Sequence, residues 1–254
     1  MIRVSGLSKA FGAQQVLNSI SFQVASGEVL AVMGPSGTGK SVLLLHLIGL
    51  LSPDQGEIEI DRARVDQLSE KNLLSFRRRM GYLFQDGALF DFMTVQENLA
   101  FPLREHTALG AVEVHARTTD FLRMVDLSGA QDKYPSEISG GMRKRAALAR
   151  ALILEPKVLL CDEPTSGLDP VRSRDISLLI RDLAKRMGCA TVITTHDAVN
   201  AFRCADRLIM LDRGKIAAQG SESDLRSSPE PFVRAFLEDC PVAGEKKGAT
   251  DAKR

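Results

Sequence analysis

Residues 34–41, Gly-Pro-Ser-Gly-Thr-Gly-Lys-Ser, combine residue types that can bind phosphate. They follow the order G-x-x-x-x-G-K-S between an apolar strand-like segment and an apolar helix-like segment. The glycines let successive backbone N–H groups face anionic oxygens, Lys40 supplies a cation, and the Ser41 hydroxyl can bind Mg²⁺. We therefore predict a nucleotide phosphate site formed by Gly34, Pro35, Ser36, Gly37, Thr38, Gly39, Lys40, Ser41 and Val42.

A pair of carboxylates follows a second apolar segment. The stretch "VLLCDEP" ends in Asp162 and Glu163. An aspartate at a strand end can hold a magnesium shell, and a neighbouring glutamate can orient or deprotonate an attacking water. The alternative is that the two carboxylates only cap a turn before Pro164, but their occurrence downstream of a phosphate loop favours catalysis.

A second candidate phosphate site occurs in "SEISGGMRKRAALARAL", residues 136–152. Ser139, Gly140 and Gly141 precede a helix-like segment, and a helix N-terminus binds anions. One chain would then carry two half-sites, which two copies arranged head to tail could complete for each other. The alternative is a helix that Ser139 simply caps.

Composition limits the class of protein. The chain has 254 residues, 44% of them apolar, with 33 basic and 32 acidic residues, so we expect a globular fold and no nucleic-acid partner. The cysteines show no CxxC pair, which is typical of reduced thiols. The N-terminal segment lacks the apolar core of a signal peptide, and the run from Val42 to Leu51 is too short to cross a bilayer. We expect no export, and a partner would have to hold the chain at a membrane.

Hydrophobic patterning predicts an α/β fold. Residues 1 to about 32 alternate like short strands, strand character returns in "GEIEI" and "MGYLFQ", and residues 98–155 have helical periodicity. Strands and helices then alternate, ending in a hairpin over 205–220, which predicts a parallel sheet with an inserted helical subdomain.

The arginines at 77–79 predict a solvated face. Residues 231–239 predict a short helix on its own domain, and the polar tail after it predicts disorder.

The ordered motifs "GPSGTGKS", Gln85, "ISGGM", "LLCDEP", "SGLD" and "THD" resemble the nucleotide-binding subunit of ATP-binding cassette (ABC) transporters. The resemblance covers residues 1 to about 225. It implies a P-loop NTPase fold with a β-rich ATP-binding core, a helical subdomain at about 86–155, and a C-terminal segment at 226–254. It also implies hydrolysis of ATP with Mg²⁺ by a homodimer that sandwiches two ATP molecules.

The resemblance assigns roles to individual residues. Glu163 would be the catalytic base, His196 would contact the γ-phosphate, and Gln85 would reach the metal and the water. The metal ligands would come from Ser41, Gln85 and Asp162. Nucleotide contacts beyond the phosphate loop would come from Phe11, Ser139, Gly140, Gly141 and Asp169.

Four positions need comment. Phe11 would stack on adenine, with a core aromatic as the alternative, and Asp169 would link the two active sites across the dimer. Met142 stands where the family usually has glutamine. Val42 stands where threonine is common, and the missing hydroxyl predicts weaker nucleotide binding by about 1 kcal/mol.

The segments "DGALF" and "MTVQENLAFPLREH" and the methionine in "ISGGM" resemble the ATPases of Mla or MCE-type transporters. These transporters move phospholipids and other hydrophobic molecules between bacterial inner and outer membranes. The resemblance implies a permease dimer, an MCE lipid-binding protein and a STAS-domain protein as partners, at the cytoplasmic face of the inner membrane. Alternatives are the ATPase of an importer for a small polar solute such as an amino acid, and a soluble cassette ATPase without a transporter.

Overall fold

The computed structural model describes residues 1–238 and residue 240, which form two β-sheets flanked by helices. The first sheet is antiparallel and has the strand order β2-β1-β4-β5. Its strands are β1 (Ile2–Phe11), β2 (Gln14–Val24), β4 (Gln55–Ile60) and β5 (Ala63–Arg64). This sheet accounts for the strand-like opening of the sequence, which forms a layer separate from the second sheet.

The second sheet has the order β10-β9-β3-β8-β7-β6, and all its neighbouring strands are parallel except the hairpin β9-β10. Every residue of β3 and β8 is buried, which explains their continuous apolar character. The predicted parallel sheet and terminal hairpin are confirmed. The strands are β3 (Val29–Met33), β6 (Met80–Leu83), β7 (Val158–Asp162), β8 (Ala190–Thr195), β9 (Arg207–Asp212) and β10 (Lys215–Gly220).

The helices confirm the inserted helical segment, which comprises α3 (Val95–His106), α4 (Ala111–Met124) and α5 (Gly140–Leu152). α3 begins with a capping box in which Thr94 and Glu97 exchange hydrogen bonds. The remaining helices are α1 (Lys40–Leu47), α2 (Glu70–Arg77), α6 (Pro170–Met187), α7 (Ala198–Cys204), α8 (Glu222–Arg226) and α9 (Pro231–Leu237).

Two features of the sequence interpretation differ from the structure. Helix α2 was not predicted; it is short, and only Leu73 and Phe76 of its residues are buried. The prediction of one solvated face at residues 77–79 is wrong for Arg77. Its guanidinium donates to the carbonyl oxygens of Ile48 at 3.1 Å and Gly49 at 2.6 Å, so it ties α2 to the end of α1.

The helical segment shares one apolar core with the parallel sheet. Leu99 of α3, Phe121 of α4 and Leu148 of α5 belong to the same buried cluster as Leu159 of β7. Because this core is continuous, the position of α5 is fixed relative to the strands that carry the carboxylates. The division into domains at 86–155 and 226–254 stays a prediction.

At the C-terminal end of the described chain, α9 packs on its own domain, as predicted. Val233 and Leu237 are buried in a cluster with Met33 and Met210. The predicted polar tail lies outside the described residues, apart from residue 240. Across residues 1–238 and residue 240, no helix is long and apolar enough to cross a membrane.

Candidate functional site

The phosphate loop connects β3 to α1. Gly39 is the N-cap of α1 with φ 96°, and the helix begins at Lys40. A Cβ on Gly34 would lie 2.5 Å from the Leu211 carbonyl oxygen, and one on Gly39 would lie 2.8 Å from Leu17 Cδ2. Both positions therefore require glycine, because a side chain would collide with neighbouring strands and adopt an unfavourable φ.

Lys40 holds its ammonium inside this loop. Its Nζ donates to the carbonyl oxygens of Gly34 at 2.9 Å and Pro35 at 3.0 Å, and it lies 3.4 Å from Glu163 Oε1. The residue is only 6% exposed. A buried ammonium at the N-terminus of a helix creates a positive site suited to phosphate oxygens.

The Glu163 carboxylate lies between the side chains of His196 and Lys40. Its Oε2 accepts a hydrogen bond from His196 Nδ1 at 2.9 Å, while Oε1 faces Lys40. Because a carboxylate only accepts, this ring nitrogen of His196 carries the proton. Glu163 also has φ 43°, a left-handed conformation that is costly for a residue with a side chain, and its N–H donates to the Thr194 carbonyl at 3.0 Å. This backbone turn aims its carboxylate at the phosphate loop.

Asp162 joins the loop to the sheet. Its Oδ1 accepts from Ser41 Oγ at 3.0 Å and from Thr194 Oγ1 at 2.6 Å. Ser41 and Asp162 are 121 residues apart in sequence, so the parallel sheet creates this contact. The Thr194 hydroxyl is fully buried, and its hydrogen bond fixes the carboxylate.

The oxygen ligands present fit Mg²⁺. Ser41 offers a hydroxyl, Asp162 a carboxylate and Gln85 an amide oxygen, which are the hard ligands that magnesium prefers. Within the described residues no group of three His, Cys, Asp or Glu side chains could hold a metal alone.

Gln85 follows β6 and reaches the same site. Its Nε2 lies 3.4 Å from the Ser166 hydroxyl, and both residues line the cavity above the phosphate loop. This cavity has a volume of about 340 Å³. Its lining comprises Val16, Ser36, Gly37, Gly39, Lys40, Ser41, Val42, Gln85, Glu163, Ser166 and His196.

The structure therefore brings most of the predicted catalytic and phosphate-loop residues to one cavity. Gly34, Pro35 and Thr38 are not among its lining residues; the Thr38 hydroxyl donates to the Pro35 carbonyl at 2.9 Å. Phe11 is 47% exposed at the end of β1, with the Lys9 ammonium 5.6 Å from its ring centroid. Phe11 does not line the cavity, and its role in stacking stays a prediction.

Ser139, Gly140 and Gly141 are also absent from the cavity lining. Ser139 caps α5, accepting a hydrogen bond from the Met142 N–H at 3.3 Å. The first N–H groups of any helix lack intrahelical partners, so those of Gly140 and Gly141 remain suited to an anion. Both sequence interpretations of Ser139 are therefore compatible, since it is a cap at a helix end that can bind phosphate.

Asp169 likewise caps a helix. Its carboxylate accepts from the N–H groups of Arg172 at 3.0 Å and Val171 at 3.1 Å at the start of α6. The hydrogen bond from the Arg172 N–H contributes most to lowering the pKa of this carboxyl below its usual value. Asp169 is exposed, so it is a charged group at a surface that a second molecule can reach.

Three residues of the site were not predicted from the sequence. Val16 lies on β2, Ser166 follows Glu163 closely, and Thr194 lies inside the buried strand β8. A hydroxyl in an apolar strand was the only sequence signal for Thr194, because its partner Asp162 is 32 residues away. Val16 gave no signal, since valine in a strand is ordinarily a core residue.

The cysteines do not contribute to this chemistry. Cys161, Cys189 and Cys204 are buried. Burial raises the pKa of Cys161, raises that of Cys189 to about 11 and raises that of Cys204 to about 12, so these thiols remain protonated at neutral pH.

Comparison with known proteins agrees with this geometry. The family model described as "ABC transporter" matches residues 17–166. The chain is 41% identical over 238 residues to the intermembrane phospholipid transport system ATP-binding protein MlaF of Escherichia coli K12, covering 94% of this chain and 88% of that protein. It is 47% identical to the probable ribonucleotide transport ATP-binding protein mkl of Mycobacterium leprae, covering 93% of this chain but 68% of that protein.

Solved structures show the same fold. The dimeric post-hydrolysis structure of the ATP-binding cassette MJ0796, bound to ADP and Pi, superposes with a TM-score of 0.79 at 30% identity, covering 87% of this chain and 98% of that one. The structure of cbiO1 from Clostridium perfringens, part of the complex cbiONQ, superposes with a TM-score of 0.83 at 30% identity, covering 94% and 95%. With its phosphate loop, paired carboxylates and matching fold, the chain belongs to the ABC transporter family and is an ATPase of that family.

Proposed function

We propose that this chain is the ATP-hydrolysing subunit of an ABC transporter that moves phospholipids or other hydrophobic molecules between the inner and outer membranes. The match to the phospholipid system's ATP-binding protein carries this proposal, because it extends over 94% of this chain and 88% of that protein. Such a match includes the helical segment, where the sequence resembles the Mla or MCE-type ATPases most specifically.

Glu163 is the proposed general base for the attack of water on the γ-phosphate. Lys40 would bind the β- and γ-phosphates, and its 3.4 Å distance from Glu163 Oε1 supports a base next to the phosphate site. His196 contacts the other carboxylate oxygen through Nδ1 and also lines the cavity. The Glu163 carboxylate, which would activate the water, is therefore held by one contact to each of its two oxygens.

Ser41, Asp162 and Gln85 are the proposed magnesium ligands. When bound, Mg²⁺ would neutralise charge on the transferred phosphoryl group. The Thr194 hydroxyl orients Asp162, and Ser166 lies within reach of the Gln85 amide. Two of the three proposed ligands, Asp162 and Gln85, thus have a second residue that contacts them.

A homodimer would complete the nucleotide site. Ser139, Gly140 and Gly141 do not line the cavity of their own chain, but they form a helix end that can bind the γ-phosphate held by a second copy. The cassette MJ0796 is dimeric in its post-hydrolysis structure. Asp169 is exposed where it could connect the two sites.

An aromatic surface on the helical segment is the proposed contact with an integral membrane permease. Phe90, Phe92 and Phe101 are 36%, 76% and 37% exposed, and their rings pack together. The Phe90 ring centroid lies 5.7 Å from that of Phe92 and 5.3 Å from that of Phe101. Such exposed apolar clusters mark interaction sites, and this one directly follows Gln85, a candidate catalytic residue.

The complete proposed assembly also contains an MCE lipid-binding protein and a STAS-domain protein. The permease would hold this chain at the cytoplasmic face of the inner membrane.

The main competing function is the ATPase of a polar-solute importer, which is favoured by 39% identity to the sulfate/thiosulfate import ATP-binding protein CysA 1 of Agrobacterium fabrum, covering 68% of that protein.

Co-purification from the native host tests the proposal. The tagged full chain is extracted from membranes in mild detergent, and bound proteins and lipids are identified by mass spectrometry, with a Phe92→Asp variant as the docking control. We expect a permease, an MCE protein and phospholipid with the unmodified chain, and loss of all three with Phe92→Asp. Recovery of a permease with a periplasmic solute-binding protein would replace the lipid substrate with a polar solute.

A further inference from the structure

Lys144 is a buried cation in the middle of α5. It is 6% exposed, and its ammonium donates to the backbone carbonyl of Gln85 rather than to a carboxylate. Burying an ammonium is unfavourable unless it is well bound. Desolvation lowers the Lys144 pKa, and the nearby charges of Asp86 and Glu163 act in the opposite direction. Lys144 is therefore buried at a cost in desolvation free energy, and it contacts the backbone of Gln85, a candidate catalytic residue.

Arg150, further along the same helix, binds the next part of the same segment. Its Nη1 donates to the Ala88 carbonyl at 2.9 Å and its Nη2 to the Gly87 carbonyl at 3.0 Å. Its guanidinium carbon also lies 5.6 Å from the Phe90 ring centroid. The planar guanidinium is suited to this task, because it presents parallel N–H donors to adjacent carbonyls.

The segment that these side chains hold is strained. Ala88 has φ 50°, in the left-handed region that residues with a side chain rarely adopt, and Gly87 beside it has φ 79°. Such a conformation persists only where surrounding contacts impose it. Two of the hydrogen bonds of Arg150 end on this strained pair, and its Nη1 also lies 3.4 Å from Asn98 Oδ1.

Asn98 of α3 closes the other end of the segment. Its fully buried side chain accepts from the Phe90 N–H at 2.8 Å and donates to the Phe90 carbonyl at 3.0 Å and the Met93 carbonyl at 3.1 Å. Residues 85–93, here named the glutamine segment, are therefore fixed by side chains from α5 and α3. Only the Gln85 side chain, which extends to Ser166, enters the nucleotide cavity.

We propose that Lys144 and Arg150 are positioning residues that hold the glutamine segment on α5, so that the Gln85 side chain stays directed at the γ-phosphate. The inference rests on the proposed role of Gln85 in ATP hydrolysis. Neither side chain lines the nucleotide cavity; both act through backbone carbonyls. Since α5 begins at Gly140, one helix positions Gln85 for its own nucleotide and presents Ser139 to that of a second copy.

Steady-state ATPase kinetics of the full chain test the proposal with three variants. Lys144→Met removes the donor, Lys144→Gln keeps an N–H donor, and Lys215→Met removes an exposed lysine on β10 as the control. We expect Lys144→Met to lower kcat about tenfold with KM for ATP changed by less than about twofold, and Lys144→Gln to recover most of the rate. Equal rates in Lys144→Met and the unmodified chain would overturn the proposal.

A double-mutant cycle and hydrogen exchange separate positioning from a merely structural role. Because Lys144 acts through Gln85, Lys144→Met should cost little further rate in a Gln85→Ala background, whereas independent effects would multiply. Backbone amides of the glutamine segment should exchange about tenfold faster in Lys144→Met and in Arg150→Lys than in Lys215→Met. Multiplying rate effects, or unchanged exchange in this segment, would contradict the proposal.

Failure of the proposed role of Gln85 and failure of the positioning inference give different kinetic results. If the proposed ATPase role of Gln85 were wrong, Gln85→Ala would hydrolyse ATP at the unmodified rate. If only the positioning inference were wrong, Gln85→Ala would be slow while Lys144→Met would retain full activity.

Discussion

His196 Nδ1 lies 2.9 Å from Glu163 Oε2, although the two residues follow different strands and are 33 residues apart. The parallel pairing of β7 with β8 places their ends side by side and so creates this contact. Glu163 is nearly buried whereas the His196 side chain is 57% exposed. The histidine is therefore the accessible part of the pair, and the glutamate is the group that it holds.

Glu163→Gln should abolish rapid turnover while keeping nucleotide binding. The amide keeps the size of the carboxylate but cannot accept a proton from water, so we expect kcat to fall by about 100-fold or more. ATP should still bind, and the chain should accumulate as a closed dimer in the presence of ATP. Phosphate release and size-exclusion chromatography measure the two effects.

Glu155→Gln is the matched control for that variant, because Glu155 forms a surface ion pair with Arg117 at 2.8 Å. It should hydrolyse ATP normally. A wild-type rate in Glu163→Gln would remove Glu163 from the role of base.

His196→Ala should lower kcat more than it raises KM for ATP. The substitution removes the hydrogen bond that fixes Glu163 Oε2, and a mispositioned base affects the transition state more than ground-state binding. We expect a loss of about tenfold or more, with a smaller loss in His196→Asn, whose amide can still donate. Exposed His106 provides the control, His106→Ala. Identical kinetics in His196→Ala and His106→Ala would contradict the assignment.

Thr194→Val should weaken the magnesium dependence of the ATPase. The swap keeps the shape of the side chain but removes the 2.6 Å hydrogen bond to Asp162, and loss of such a supporting contact typically costs about tenfold in metal affinity. We expect the Mg²⁺ concentration for half-maximal activity to rise by about that factor. A magnesium titration at saturating ATP measures it.

Thr191→Val is a close control, because Thr191 is an equally buried threonine of β8 whose hydroxyl donates to the Cys189 carbonyl. Thr191→Val loses one buried hydrogen bond and should lose about 1 kcal/mol of unfolding free energy. The Thr194 hydroxyl also contacts the Cys161 carbonyl at 3.4 Å and the Glu163 N–H at 3.3 Å, so Thr194→Val should lose at least as much. Only Thr194→Val should change the magnesium requirement. An equal change in both would show that the effect comes from the strand as a whole.

The phosphate loop, the paired carboxylates and the glycines before α5 could be predicted because each is a short local pattern whose chemistry depends on neighbouring residues. The contacts from Lys144 to Gln85 and from Thr194 to Asp162 could not, since 59 and 32 residues separate the partners. Lys144 belongs to a basic run that reads as a solvated helix face, yet it is buried. The antiparallel sheet was similarly hidden, because strand order depends on long-range pairing.

Val42→Thr should tighten ATP binding. Val42 lines the nucleotide cavity one residue beyond Ser41, and a threonine hydroxyl there could donate to the α-phosphate. One added hydrogen bond of about 1 kcal/mol corresponds to about a fivefold lower Kd. Val42→Ala, which gains no hydroxyl, separates this effect from a change in size. An unchanged Kd for ATP in Val42→Thr would reject the idea.

His46→Gln should reduce the dependence of stability on pH. The His46 side chain is fully buried in α1, its Nδ1 donates to the Val42 carbonyl at 2.7 Å, and its Nε2 has no hydrogen-bond partner among the described residues. Burial lowers the His46 pKa below its usual 6.5; nearby Lys9 adds to this effect and Asp54 opposes it. The unfolded chain therefore binds the proton first, so stability is complete above about pH 6.5 and falls as the pH drops below it. Urea unfolding at pH 7.5 and pH 5.5 should show this loss shrinking in His46→Gln but not in His106→Gln, which alters an exposed histidine. If the two variants lost equal stability between these pH values, His46 would not be the source of the pH dependence.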